Sequence, residues 1–270
     1  MRLFLLTGYI FCFISLGHSQ INEPLDYKIT YNLEFKALKN SEERQNENMF
    51  LFVSKNYSKF MSQGKFNLDS LMNAKKKLGF NRFMSSLPQT KFLFFVINEL
   101  STDKIWFQEK IATDKFLYEE VIKFNWTNHQ ATKSILGYNC RKAITHYQGR
   151  NYTAWYTSEI PINSGPYKFS GLPGLILEIY DDKKEYHFLI KGIESLPKGN
   201  TLTFNSKNFI NVSKNTYKET LQKYIENPFK SFEQKGGSVG FNKRQKKAFI
   251  KEYRELSKNK NVIELKENDE

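Results

Sequence analysis

Glu178 and His187 are the residues whose types and spacing come nearest to chemistry. They flank the polar run Asp181-Asp182-Lys183-Lys184, with strand-like Leu175 to Tyr180 before it and Glu185 to Ile190 after it. A hairpin pairing Tyr180 with Glu185 sets Glu178 directly opposite His187. A carboxylate beside an imidazole favours the charged ring, and in a concavity the two act as a general base or as a ligand pair. On a solvated face they are an ordinary cross-strand polar pair. The same register collects Leu175, Leu177, Ile179, Tyr186, Phe188 and Ile190 on one face. Ile176, Glu178, Tyr180, Glu185, His187 and Leu189 fall on the other.

Other constellations are weaker. Cys140 and His146 share a strand face but stand six residues apart, roughly 20 Å, too far for a nucleophile and base. Cys140 therefore reads as a small buried hydrophobe. His129, His146 and His187 are scattered, and the His-x-x-x-His, Cys-x-x-Cys and calcium-loop patterns are absent from the sequence. No cofactor or metal is expected. Paired carboxylates for glycoside hydrolysis need only meet in space, so the 28 acidic residues offer no basis for choosing two.

Two turns position these residues. Gly149-Arg150 lies between β-prone runs, and Gly at the first central position suits a type II′ hairpin, which places Tyr147 opposite Tyr152 and Ile144 opposite Trp155. In Leu172-Pro173-Gly174-Leu175, proline pre-sets φ and glycine supplies a positive φ, the demand of a type II turn leading into a strand. A phosphate loop is the rival for this run, but it needs a following helix, and Ile176 to Tyr180 is strand-like.

The run Gly171-Leu172-Pro173-Gly174-Leu175-Ile176 follows the lead-in Ile160-Pro161-Ile162-Asn163-Ser164-Gly165-Pro166-Tyr167-Lys168-Phe169. Further upstream stand Gly137 to Ala143 and Gly149 to Thr157, which includes Trp155. Together these segments resemble the signature of the GLPGLI family of secreted bacterial proteins, whose biochemical role is not established. The resemblance covers roughly residues 126 to 193. It implies an exported β domain, similar to bowl-shaped β modules attached to secreted glycan-processing enzymes. An accessory binding role would follow.

Bulk properties agree with export. Arg2, an apolar run from Leu3 to Leu16 and the small-residue stretch Gly17-His18-Ser19 read as a signal peptide over 1–19, too short for a membrane span. Cys12 follows Tyr9-Ile10-Phe11, so no lipid anchor is expected. Removal of the leader leaves Cys140 without a disulfide partner, and burial must hold the domain together. The formal charge of +13 falls by one with Arg2 and still attracts anions. The basic residues are dispersed, as on a solvated surface, and export argues against nucleic acid as a partner.

Aromatic content of 16% favours pleated structure. Tyr27 to Lys36 alternates apolar with polar side chains, a half-buried strand. Strands are also expected at 49–53 (with 57–61 extending it), 91–98, 104–110 and 115–124, and hairpins over 133–192. The spacing of Leu68, Leu71, Met72, Lys75 and Leu78 predicts a helix over 67–78 that Gly79 ends. Beyond Pro197, Tyr217, Leu221 and Tyr224 predict a helix ending at Pro228. Phe249, Ile250, Tyr253 and Leu256 line a basic helix from Lys243 to Lys258, and the tail from Lys258 reads as frayed. The expected organisation is a β-rich domain over 20–195, antiparallel and curved into a half-barrel or sandwich, with a helical basic extension over 196–270.

Three functions remain open. The first is a non-enzymatic envelope protein that holds an unknown protein, peptide or glycan. The second is a secreted hydrolase using Glu178 and His187. The third is an envelope assembly component.

Overall fold

The computed structural model describes residues 20–74 and 87–265. The expected signal peptide lies outside them, as do residues 75–78 and Gly79 at the end of the first helix. In chain order the elements begin with β1 (Gln20–Lys36), β2 (Arg44–Ser54), β3 (Tyr57–Ser62) and α1 (Gln63–Ala74). Next come β4 (Phe95–Glu99), β5 (Lys104–Ile111), β6 (Asp114–Val121), β7 (Thr127–Ile135) and β8 (Tyr138–Tyr147). Then follow β9 (Arg150–Thr157), β10 (Leu175–Asp181), β11 (Tyr186–Ser195), β12 (Thr201–Asn205) and β13 (Ile210–Asn211). Helices α2 (Lys214–Glu226), α3 (Lys230–Gln234) and α4 (Lys243–Asn259) end the chain.

The strands form one open sheet in the order β13-β6-β5-β4-β3-β2-β1-β11-β10-β9-β8-β7, with β12 paired to β1. Pairing is antiparallel except between β13 and β6. The mainly β class is as expected, and the alternation of β1 is clean: Ile29, Tyr31, Leu33 and Phe35 are buried and the residues between them partly exposed. Residues 57–61 are a separate strand, and α1 starts four residues earlier than its apolar spacing suggests.

The sheet curls around its own chain. The connection from β9 to β10 lies inside it, with Ser164, Tyr167, Lys168, Phe169 and Leu172 all buried. Buried irregular backbone must still find hydrogen bonds. Here Ser164 N donates to Ile162 O at 2.8 Å, Leu175 N to Ile160 O at 3.0 Å and Ile176 N to Ser164 O at 3.0 Å. The Trp126 indole donates to Ser170 O at 2.8 Å.

The outer face is covered in part. β1 shifts register between Leu25 and Tyr27, and its first residues pair with β12. The resulting ribbon lays Ile21, Leu202 and Phe204 on Phe50, Phe52, Phe95 and Trp106. This is why Met49 to Val53 are buried on both sides of β2, whereas most antiparallel strands face water on one.

The tail is not frayed where it is described. Lys39 N donates to Asn259 O at 2.8 Å, Asn261 N to Ala37 O at 3.0 Å and Leu265 N to Gln148 O at 3.1 Å. Residues 259–265 are thus tied across strand ends by backbone hydrogen bonds that a charge-rich composition does not announce.

Candidate functional site

The proline-glycine corner is tighter than the expected type II turn. Gly174 N donates to Leu172 O at 2.8 Å, closing a three-residue turn about Pro173. Gly174 takes φ of +139°, and a Cβ there would lie 1.9 Å from Thr157 O. Glycine is required both by the backbone angle and by the strand it crosses. Lead-in and signature touch directly, since a Cβ on Gly165 would lie 2.8 Å from the Ile176 side chain. Pro161 and Pro166 lie on the same inward connection, and Gly171 N donates to Asn163 Oδ1 at 2.5 Å.

The β8–β9 hairpin also differs from its expected form. Tyr147 pairs with Arg150, so the central residues are Gln148 and Gly149, both with positive φ, +48° and +73°. That is the pattern of a type I′ turn, in place of the type II′ turn expected around Gly149-Arg150. Tyr152 consequently faces Thr145, and Trp155 faces Lys142.

In β10–β11 the ladder pairs Tyr180 with His187 and Glu178 with Leu189, two residues from the expected register. The cause lies at the turn. Asp181 Oδ1 accepts from Tyr186 N at 2.7 Å, and Glu185 leaves the ladder to meet Arg150 Nη1 at 2.8 Å. A shift of two keeps every side chain on its face. The six apolar residues Leu175, Leu177, Ile179, Tyr186, Phe188 and Ile190 all pack in the main core. Ile176 joins them instead of facing outward with Glu178, because a register shift between Ile176 and Glu178 rotates it inward.

Glu178 and His187 therefore meet diagonally, with Nε2 and Oε1 2.8 Å apart. The other carboxylate oxygen is ion-paired with Lys133, whose ammonium lies 4.4 Å from the Trp155 ring centroid. Burial opposes ionisation of Glu178, but the hydrogen bonds from His187 and Lys133 outweigh it and hold the carboxyl below its usual range. A general base needs an available lone pair and an approach for substrate. This carboxylate spends its oxygens on two partners, and neither it nor His187 lines either of the two clefts described next.

The first cleft, about 600 Å³, lies beside the signature turn and is lined by Asn128, His129, Gln130, Thr132, Arg141, Tyr156 and Pro173. It opens where edge strand β7 is irregular: Asn128 pairs with Ala143 and Thr132 with Arg141, so three residues of β7 oppose one of β8. The Tyr156 hydroxyl donates to Asn128 Oδ1 at 3.2 Å. The second, about 420 Å³, lies on the outer face against Phe50, Phe52 and Phe66 of β2 and α1.

Two buried ion clusters complete the interior. Arg150 binds Asp181, Glu185, Asn261 Oδ1 at 2.7 Å and Val262 O at 3.0 Å. Lys168, with no exposed surface, donates to Glu264 at 2.5 Å, to Glu120 and to the Tyr118 hydroxyl at 3.2 Å. Lys214 bridges the same two carboxylates at 2.7 and 3.0 Å. Burial would raise Glu264, but Lys168 and Lys214 draw its pKa down to about 2. Burial, then the charge of Glu264, pushes the Tyr167 phenol well up. One sequence signal pointed here: a lysine between Tyr167 and Phe169 in an apolar lead-in must be paired if buried. Its partners, 48 and 96 residues away, carry none.

Cys140 is buried, as expected, and burial raises its thiol pKa. Among the described residues, no group of three or more His, Cys, Asp or Glu could hold a metal, and no helix is long and apolar enough to cross a membrane.

The fold and these segments define the class. The family profile described as "Protein of unknown function (Porph_ging)" matches residues 146–178, the stretch from the I′ hairpin through the signature, which bears out the GLPGLI resemblance. No curated protein matches the chain. Two solved structures of PNGF-II, in space groups P21 and C2, are similar at 15% identity with TM-scores of 0.49 and 0.51. Each match covers 74% of this chain and 33% of PNGF-II, so the chain spans about a third of that protein. At this identity the likeness to the C2 structure speaks for the fold alone.

Proposed function

We propose that this chain is an exported, non-enzymatic binding domain of the cell envelope, holding a polar peptide or glycan in the cleft beside the signature turn. The lining of that cleft carries the reading. Asn128, Gln130, Thr132, His129 and Arg141 offer hydrogen-bond donors, acceptors and one guanidinium around the Tyr156 ring, without a carboxylate among them. Such a lining recognises hydroxyls, amides and an anionic group, and it lacks the paired acids that glycoside hydrolysis uses. In this reading the Gly174 corner positions Pro173 as one wall, and Glu178 with His187 stabilises the outer face. Export rests on the leader over 1–19, and the location is periplasm, cell surface or medium.

The test uses immobilised full-length mature protein and defined panels of peptides and envelope glycan fragments, with mass spectrometry of the eluates. Retention of unaltered ligand, weakened by Arg141→Ala, is the expected result. Release of cleaved products that Glu178→Gln abolishes would replace this reading with the hydrolase.

A further inference from the structure

We infer a second binding surface, on α4: a ridge of cations that holds a linear anionic polysaccharide. At 3.6 residues per turn, Lys243, Arg244, Lys247, Lys251, Arg254 and Lys258 fall within an arc of about 100° and run for about 22 Å. All six are exposed. Arg254 is held by Glu226 O at 2.9 Å and Lys258 by Glu255 at 3.1 Å. Lys243, Arg244, Lys247 and Lys251 have no carboxylate partner among the described residues.

The ridge is held outward at fixed spacing. On the opposite flank of α4, Phe249 packs on Phe229 at 5.1 Å and Tyr253 on Tyr224 at 6.1 Å. Asn242 and Gln245 cap the first turn reciprocally, and Asn259 ties the last to Lys39. Cations one turn apart on a rigid helix present charge at a repeat of about 5–6 Å, which a flexible lysine tail does not. An acidic polysaccharide, with an anion on every ring or every second ring, meets such a repeat along its length. A flat anionic bilayer fits less well, because Glu255, exposed at the edge of the ridge, would be pressed against it. The surface is separate from the cleft at Pro173 and does not depend on it.

The experiment measures binding of the full mature chain to polygalacturonate, to neutral dextran and to phosphatidylglycerol vesicles over a salt series. Binding to polygalacturonate alone, weakening with salt, is expected. Lys243→Glu/Lys247→Glu/Lys251→Glu should reduce affinity by about tenfold or more, since each lost contact also removes counterion release. A control, Lys183→Glu/Lys198→Glu/Lys207→Glu, makes the same change in net charge at exposed positions elsewhere and should bind nearly as wild type. Circular dichroism checks that both fold. Equal loss in the two variants, absence of polygalacturonate binding, or preference for the vesicles would overturn the inference.

Discussion

Lys168 and Glu264, 96 residues apart in sequence, meet at 2.5 Å where no solvent reaches the ammonium. Glu264 also accepts from the hydroxyls of Tyr147, on β8, and Tyr167, at 3.0 and 2.6 Å, while Lys168 reaches Glu120 on β6. β6 and β8 lie one strand in from opposite edges of the sheet, so a single ion cluster joins its two ends.

Removing one partner of this pair should be severe. Glu264→Gln leaves the Lys168 ammonium short of a counter-charge in the interior, and breaking such a pair costs about 3–5 kcal/mol. Urea unfolding at neutral pH checks this. Replacing Lys168 with methionine and Glu264 with glutamine together should cost less than the two single changes added, because the orphaned charge is then gone.

The acid limb of stability follows from the same carboxylate. With a folded pKa of about 2, Glu264 contributes stability that is fully present above its unfolded value and lost as pH falls toward 2. Glu178 and Glu185, also held low, add in the same direction. Urea midpoints measured from pH 6 to pH 2.5 should fall through this window, with a shallower slope in Glu264→Gln.

Gly174→Ala should prevent folding or cost more than about 4 kcal/mol, since the added carbon meets a backbone oxygen that belongs to β9. Gly192→Ala, where a Cβ meets nothing within 4 Å, is the control and should be mild. Thermal melts of the two variants decide it.

Gln148 holds a positive φ in the type I′ turn, a conformation that asparagine adopts more readily. Gln148→Asn should therefore stabilise the protein by about 0.5 kcal/mol, at the low end of typical turn and cap improvements. A small rise in the urea midpoint without a change in slope would confirm it.

The Cys140 thiol should resist alkylation at pH 8 in the native protein and react fully once urea unfolds it, because burial removes access and raises its pKa. Prompt native-state labelling would contradict its placement.

Sequence alone determined the antiparallel β character, the alternation of β1, the inward set from Leu175 to Ile190, the helices after Pro197 and the nearness of Glu178 to His187. These depend on a period of two or of 3.6, which neighbouring residues carry. Tertiary structure decided the registers, because a slip of two residues leaves the pattern of faces unchanged; in β10–β11 the observed register comes with the hold of Asp181 on Tyr186 and of Arg150 on Glu185. It also decided the inward path of Ile176, the cleft at the irregular edge of β7, and the docking of residues 259–265. Each of these rests on groups brought together from distant parts of the chain, and ion pairs and hydrogen bonds at such separations leave no periodic trace along it.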